Sequence, residues 1–127
     1  MKIVIIGAGP AGLGAARRCL ESIKNDSNSE LIIIEKSDKI GGIWNGDVES
    51  PVYEDLHTNL PKELMAFPDF PFPESEKSFV HHSEVTEYLE GYARHFALKQ
   101  VLHRGILYSC QQEEAQILIF WIGGLSC

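Results

Sequence analysis

Residues 2–35 read KIVIIGAGPAGLGAARRCLESIKNDSNSELIIIE, and this stretch decides the fold. Lys2–Ile6 is a short β-branched run that ends on glycine, the pattern of a buried parallel strand. From Ala11 to Lys24, Leu13, Ala16, Leu20 and Ile23 fall on one stripe. Arg17, Arg18, Glu21 and Lys24 fall on the other side, so the spacing predicts an amphipathic helix. Asn25–Ser29, NDSNS, is a polar turn. Glu30–Glu35, ELIIIE, is a second buried strand. Strand, glycine turn, helix, strand is a βαβ unit with a right-handed crossover.

The turn is GAGPAG, Gly7 to Gly12. Alone, GxGxxG is a weak signal. Here it follows a strand, opens a helix, and an acid ends the next strand. Gly7 turns the chain off the strand, Gly9 lets a pyrophosphate approach the backbone, and Gly12 lets the helix lie close to the sheet. The helix start offers unpaired N–H groups and the positive end of its dipole to phosphates. Glu35 is placed to accept from an adenosine ribose and to repel a 2′-phosphate, so the site suits FAD or NAD rather than NADP. Glu35-Lys36 followed by Gly41-Gly42 resembles the second half of the glutathione-reductase-type FAD fingerprint, which favours FAD. The expected fold class is α/β: a Rossmann-like FAD-binding βαβ unit of the glutathione-reductase-type FAD/NAD(P)-binding fold, incomplete in this chain.

Composition excludes several other classes. The chain has 127 residues, one domain's worth or a piece of something larger, and a formal charge of -7 with only 11 Lys and Arg. That balance argues against nucleic acid as a partner. Cys19, Cys110 and Cys127 have neither metal-like nor CxxC spacing and read as cytosolic thiols. No metal site is expected. The apolar run from residue 2 is broken by glycine and proline and does not read as a signal peptide. The run ILIFWIGGL, 117–125, is far shorter than the roughly 20 residues of a spanning helix. No transmembrane segment is expected.

The remainder is less regular. Residues 45–73 read as irregular, and HTNLPKELMAFPDFPFP, His57 to Pro73, is too rich in proline for a helix or a central strand. Residues 83–97 predict a helix with Val85, Tyr88, Leu89, Tyr92 and Phe96 inward, Glu84, Glu87 and Glu90 outward, and Ser83 as its cap. His81 and His82 read as loop residues near that start, and His57, His95 and His103 as lacking a partner cluster. Cys19 reads as helix packing, and the phenylalanines of PDFP as facing the core.

Four runs together resemble the N-terminal part of a flavin-containing monooxygenase: GAGPAG, EKSDKIGGIW, YEDLHTNLPKELMAFPDFPFP and FVHHSEVTEYLEGYARHFAL. The resemblance is closest to insect-type members, a group that includes the senecionine N-oxygenases, and it spans residues 2 to 102. It implies that NADPH reduces FAD, that the reduced flavin takes up dioxygen, and that one oxygen atom passes to a tertiary amine or a sulfide. The chemistry belongs to the cofactor, and the protein holds and shields it. By the same resemblance Gly7, Gly9, Pro10, Ala11 and Gly12 hold the pyrophosphate. Glu35, with Lys36 beside it, binds ribose. Gly42, Ile43 and Trp44 line the flavin side. Thr58 and Asn59 lie beside the isoalloxazine and nicotinamide, with the Asn59 amide as the catalytic donor. The prolines of 61–73 stiffen the path, and Phe67, Phe70 and Phe72 fasten it to the core.

Beyond His103 the likeness ends. The family's second GxGxSG unit, its NADPH site, and its FxGxxxHxxx motif do not occur in these residues. The expected division is 1–102 as part of an FAD-binding domain and 103–127 as a divergent tail. Ile117–Leu125 is a candidate strand to cover the open sheet. A truncated gene model, an alternative transcript or a degenerate copy would each produce such a chain, and it is expected to be inactive alone. The alternative is a non-catalytic FAD-binding or interaction module that pairs with a full-length relative. An NAD-dependent dehydrogenase is disfavoured by Gly41-Gly42 and the Asn59 run. The expected location is cytoplasmic, or associated with the endoplasmic reticulum.

Overall fold

The two apolar runs KIVII and ELIIIE pair side by side, as β-branched strands without polar alternation must if both faces are to be covered. In the computed structural model, which describes residues 1–47, 50–104 and the backbone of 117–121, they form β1 (Lys2–Ile6) and β2 (Glu30–Glu35). These run parallel, from Lys2 opposite Glu30 to Ile6 opposite Ile34. Helix α1 (Pro10–Ile23) crosses between them. It starts at Pro10, one residue before the predicted start, because proline already holds helical φ and its missing N–H is not needed there.

Next come a 3-10 turn (Gly42–Asn45), α2 (Lys62–Met65), α3 (His82–His95), a second 3-10 turn (Leu98–Val101), β3 (Leu102–Arg104) and β4 (Ile117–Trp121). All strands are parallel, in the order β3-β2-β1-β4. The expected tail strand is present over Ile117–Trp121 and pairs with β1. Its expected continuation to Leu125 lies outside the described residues, as do Cys110 and Cys127.

Helix packing against the sheet is set by one contact. A Cβ on Gly12 would lie 1.9 Å from the carbonyl oxygen of Gly7, a distance no side chain survives. The core spreads from there through Ile5, Leu13, Ile33, Ile40, Leu89, Tyr92 and Leu98, all fully or nearly fully buried. Arg17, expected to face out, instead reaches across. It pairs with Glu21 at 3.4 Å and Asp69 at 3.6 Å, and its guanidinium lies 4.4 Å from the Phe96 ring centre.

The stretch read as irregular has two regular features. Residues KELM make the single turn α2. Residues 56–62 also run antiparallel to 78–82: Thr58 N donates to Val80 O at 2.9 Å, His82 N to Leu56 O at 2.9 Å, and Lys62 N to Ser78 O at 2.7 Å. This pairing brings the rings of His57 and His81 to 5.3 Å, so His57 does have an imidazole neighbour. Backbone pairing at this sequence separation leaves no periodic trace, which is why the pattern missed it.

The proline-rich path is clamped by Tyr88. Its hydroxyl accepts from Phe67 N at 2.7 Å and donates to Phe70 O at 2.5 Å, while Phe72 stacks on its ring at 3.7 Å. Phe67 packs against Tyr92 at 4.1 Å and over Gly14, where a Cβ would come within 3.1 Å of the ring. The phenylalanines therefore do face the core. Helix α3 begins one residue earlier than predicted, and its cap is His81, not Ser83. His81 Nδ1 accepts from Ser83 N at 3.3 Å, and Glu84 accepts from His81 N at 3.0 Å. An imidazole nitrogen replaces the usual hydroxyl, and Ser83 falls inside the first turn. Glu84 thus serves the cap, and Glu90 pairs with Lys99.

Gly12→Ala is expected to cost about 1–3 kcal/mol through overpacking. Gly91→Ala, whose Cβ would make ordinary contact with Phe70 at 3.6 Å, is expected to stabilise by about 0.5–1 kcal/mol. Urea unfolding of the two variants checks the contrast.

Burial, with the Asp69 carboxylate second, pushes the Tyr92 hydroxyl up from 10.0 to about 12. Burial raises Tyr88 in the same direction. Each keeps in the folded state a proton that the unfolded chain has begun to lose. Stability is therefore expected to be full below pH 10 and to fall as pH rises from there towards 12. Denaturation curves taken across that window test the sign.

Candidate functional site

The glycine turn and the glycine doublet form one structure. Gly41 N donates to Ala8 O at 2.9 Å and Gly7 N to Ile34 O at 2.7 Å. Gly7 and Gly42 hold φ of 100° and 59°, which only glycine adopts without strain. A Cβ on Gly42 would sit 3.1 Å from Gly9 Cα. Gly41 and Gly42, far along the chain from the turn but in a segment the sequence assigned to the same motif, thus become its wall.

Gly9 is different. Its φ is -78°, open to any residue, and a Cβ there would meet only Gly42 backbone at 3.5 Å, an ordinary contact. Neither conformation nor neighbours require glycine at this position. A group from outside the chain that approaches the backbone supplies a reason. Helix α1 agrees: its N-terminus carries no side-chain cap and no acid in the first turn, so its first N–H groups are open to an anion. Ala11, in that turn, is exposed.

Glu35 ends β2 and is 6% exposed. Its Oε2 accepts from Ala8 N at 2.6 Å and its Oε1 from Ser37 N at 3.0 Å. The carboxylate is held against the glycine turn by two backbone donors, and each oxygen retains an acceptor position. The sequence placed Glu35 beside the turn but did not reveal that it also braces it. Lys36 is exposed. Ile43 is 59% exposed, whereas Trp44 packs against the core. The Trp44 carbonyl accepts from the Thr86 hydroxyl at 2.7 Å, which ties the doublet's turn to α3.

Thr58 and Asn59, adjacent in sequence, have opposite settings. Thr58 is buried, and its Oγ1 accepts from Val80 N at 3.2 Å. Asn59 is exposed, and its amide makes no hydrogen bond among the described residues. One residue anchors and the next presents. Lys62, which sequence reasoning treated only as part of a motif, is 5% exposed. Its ammonium donates to Pro73 O, Ser75 O and Ser75 Oγ at 3.1, 3.2 and 2.5 Å, so it closes the proline-rich loop. A lysine at the start of a one-turn helix carries no burial signal in sequence.

The family described as flavin-binding monooxygenase-like matches residues 1–114. The chain belongs to that family. Among curated relatives it is 39% identical over 102 residues to flavin-containing monooxygenase 3 of Macaca mulatta, covering 76% of this chain and 18% of the relative. It is also 39% identical over 98 residues to the Homo sapiens protein of the same name, covering 73% and 18%. Among solved structures, S-allyl-L-cysteine S-oxygenase from Allium sativum superposes with a TM-score of 0.68 at 32% identity, covering 82% of this chain and 27% of that one. A flavin-containing monooxygenase from Stenotrophomonas maltophilia gives 0.63 at 26%, covering 82% and 28%. The chain thus spans under a fifth of the curated relatives' length. No helix among the described residues is long and apolar enough to cross a membrane.

Thr58→Val removes the acceptor of a buried N–H and is expected to cost about 1–3 kcal/mol. Asn59→Ala is expected to change stability by less than about 0.5 kcal/mol. Thermal melts of the two variants check whether anchoring and presenting are separate, as the geometry has them.

Proposed function

We propose that this chain is the FAD-binding portion of a flavin-dependent monooxygenase, one that oxygenates nitrogen or sulfur in soft nucleophiles such as tertiary amines and sulfides, with NADPH and dioxygen. The observation that carries the reading is Gly9, a glycine for which the fold itself supplies no reason, set between an uncapped helix start and a buried carboxylate. These features fit a dinucleotide with a pyrophosphate. The backbone of Gly7, Gly9, Pro10, Ala11 and Gly12 would hold the pyrophosphate. The free acceptor positions of Glu35 would take ribose hydroxyls, with Lys36 at the rim. Gly42, Ile43 and Trp44 would border the flavin.

When bound, FAD supplies the redox and oxygen chemistry. The chain's own work is to bind it, orient it and place one donor. Thr58 fixes the backbone through Val80, and the exposed Asn59 amide beside it would be the donor that stabilises developing charge once the cofactor is bound. NADPH fits this portion poorly, because Glu35 repels a 2′-phosphate. Its site belongs to the part of the relatives that this chain does not span. The division at residues 1–102 and 103–127, a cytoplasmic or endoplasmic-reticulum-associated location, and pairing with a full-length relative belong to the same reading.

The test is a visible spectrum of the purified chain after FAD is added and free cofactor is removed by desalting. A flavin band is expected to persist, Glu35→Ala is expected to weaken retention by about tenfold, the worth of roughly 1.4 kcal/mol, and NADPH is expected not to displace it. A folded chain that retains no flavin, or that retains a nicotinamide nucleotide instead, contradicts the proposal. Turnover of a tertiary amine by the chain alone is not expected.

A further inference from the structure

In the order β3-β2-β1-β4, the crossover from β1 leads to β2 on one side, while β4 lies on the other. Ligands of open parallel sheets bind outside the carboxyl ends of the two strands where the order reverses, which here are β1 and β4. The carboxyl end of β1 runs directly into Gly7. The carboxyl end of β4, Trp121, stands opposite Ile6, level with that turn. Yet the family match stops at residue 114, before β4 begins at Ile117. A segment outside the family's pattern therefore occupies the strand position beside the nucleotide crevice.

We propose that Ile117–Trp121 closes the sheet at this switch point and forms the second wall of the crevice, so that the chain's hold on a dinucleotide depends on its own β4. The inference rests on the flavin reading given above. The physical reason lies in β1. Ile3, Val4 and Ile5 are buried, and β1 carries the glycine turn at its end. Without β4 it would be an edge strand with a row of unpaired N–H and C=O groups. Parallel strands of this kind are stable only when covered. The five paired positions from Lys2–Ile117 to Ile6–Trp121 restore an interior strand, and an interior strand holds the turn still.

Two adjacent prolines, Ile119→Pro with Phe120→Pro, remove two successive N–H groups. Alternate residues point their N–H to alternate sides, so one of the two must face β1. Gln111→Pro with Gln112→Pro, outside β4, is the control. The measurements are FAD retained after desalting and backbone amide exchange in the unmodified chain. The β4 amides that face β1 are expected to be protected well above random-coil rates, and the alternate ones, on the open edge, to exchange faster. The β4 variant is expected to bind FAD at least about fivefold more weakly, the worth of a lost ladder hydrogen bond, and the control to bind normally. Equal retention by the β4 variant overturns the proposal. So does random-coil exchange at every β4 amide of the unmodified chain, a measurement that does not depend on whether the variant folds. An unmodified chain with protected β4 amides and no flavin refutes the flavin reading instead, and with it the crevice role of β4, while leaving the sheet closure standing.

Discussion

Helix α1 lies so close to the end of β1 that Gly12 has no room for a side chain. The Gly7 carbonyl stands where a Cβ would be. That single approach orders what surrounds it. It forces the turn between strand and helix to be tight, which Gly7 permits with its positive φ. It aims the helix start at the carboxyl edge of the sheet. It also leaves Ala8 between two partners, the Glu35 carboxylate and Gly41 N, so that β2 and the glycine doublet are fastened to the same turn. An amphipathic helix on a parallel sheet is common; this one also leaves the N–H groups of its first turn without a side-chain cap.

A second set of contacts fixes the segment that carries Asn59. Tyr88 grips the backbone at Phe67 and Phe70, Lys62 closes the loop through Pro73 and Ser75, and Thr58 is locked to Val80. Tyr88, Lys62 and Thr58 are all buried. They hold an exposed amide on a path with little freedom, at the entropic cost that rigid loops incur. The burial of Tyr88 and the exposure of Asn59 belong to one division of labour.

Much of this was legible in the residues. β-branched runs, a 3.6-residue stripe and correctly spaced glycines give β1, α1 and β2 within a residue of where they lie, because these depend on local pattern and on covering two faces of a sheet. The family likeness was legible because TN-PKE and FPDFP are rare combinations. What pattern could not show were the contacts made across long separations. The cap at His81, the buried ammonium of Lys62, the reach of Arg17 to Asp69 and the 56–62 pairing with 78–82 all join residues whose local sequence is ambiguous. Ser83 was the better cap by residue type, but His81 won it because the antiparallel pairing fixes His81 in extended backbone just before the helix. The tail strand was foreseen from its apolar run alone, and its parallel pairing with β1 came only from the three-dimensional arrangement.

Under the proposed function, the glycine turn, Glu35 and the glycine doublet make one flavin cradle. The most direct test is a map of backbone amide exchange, residue by residue, with and without FAD. Protection is expected to increase together at Ala8, Gly9, Ala11, Gly12, Gly41 and Gly42. Two shallow hollows flank α3, one beside Trp44, Thr86 and Arg94, the other beside Phe70, Phe72 and Tyr88. Protection that appears in either hollow, with the glycine turn unchanged, would contradict the account.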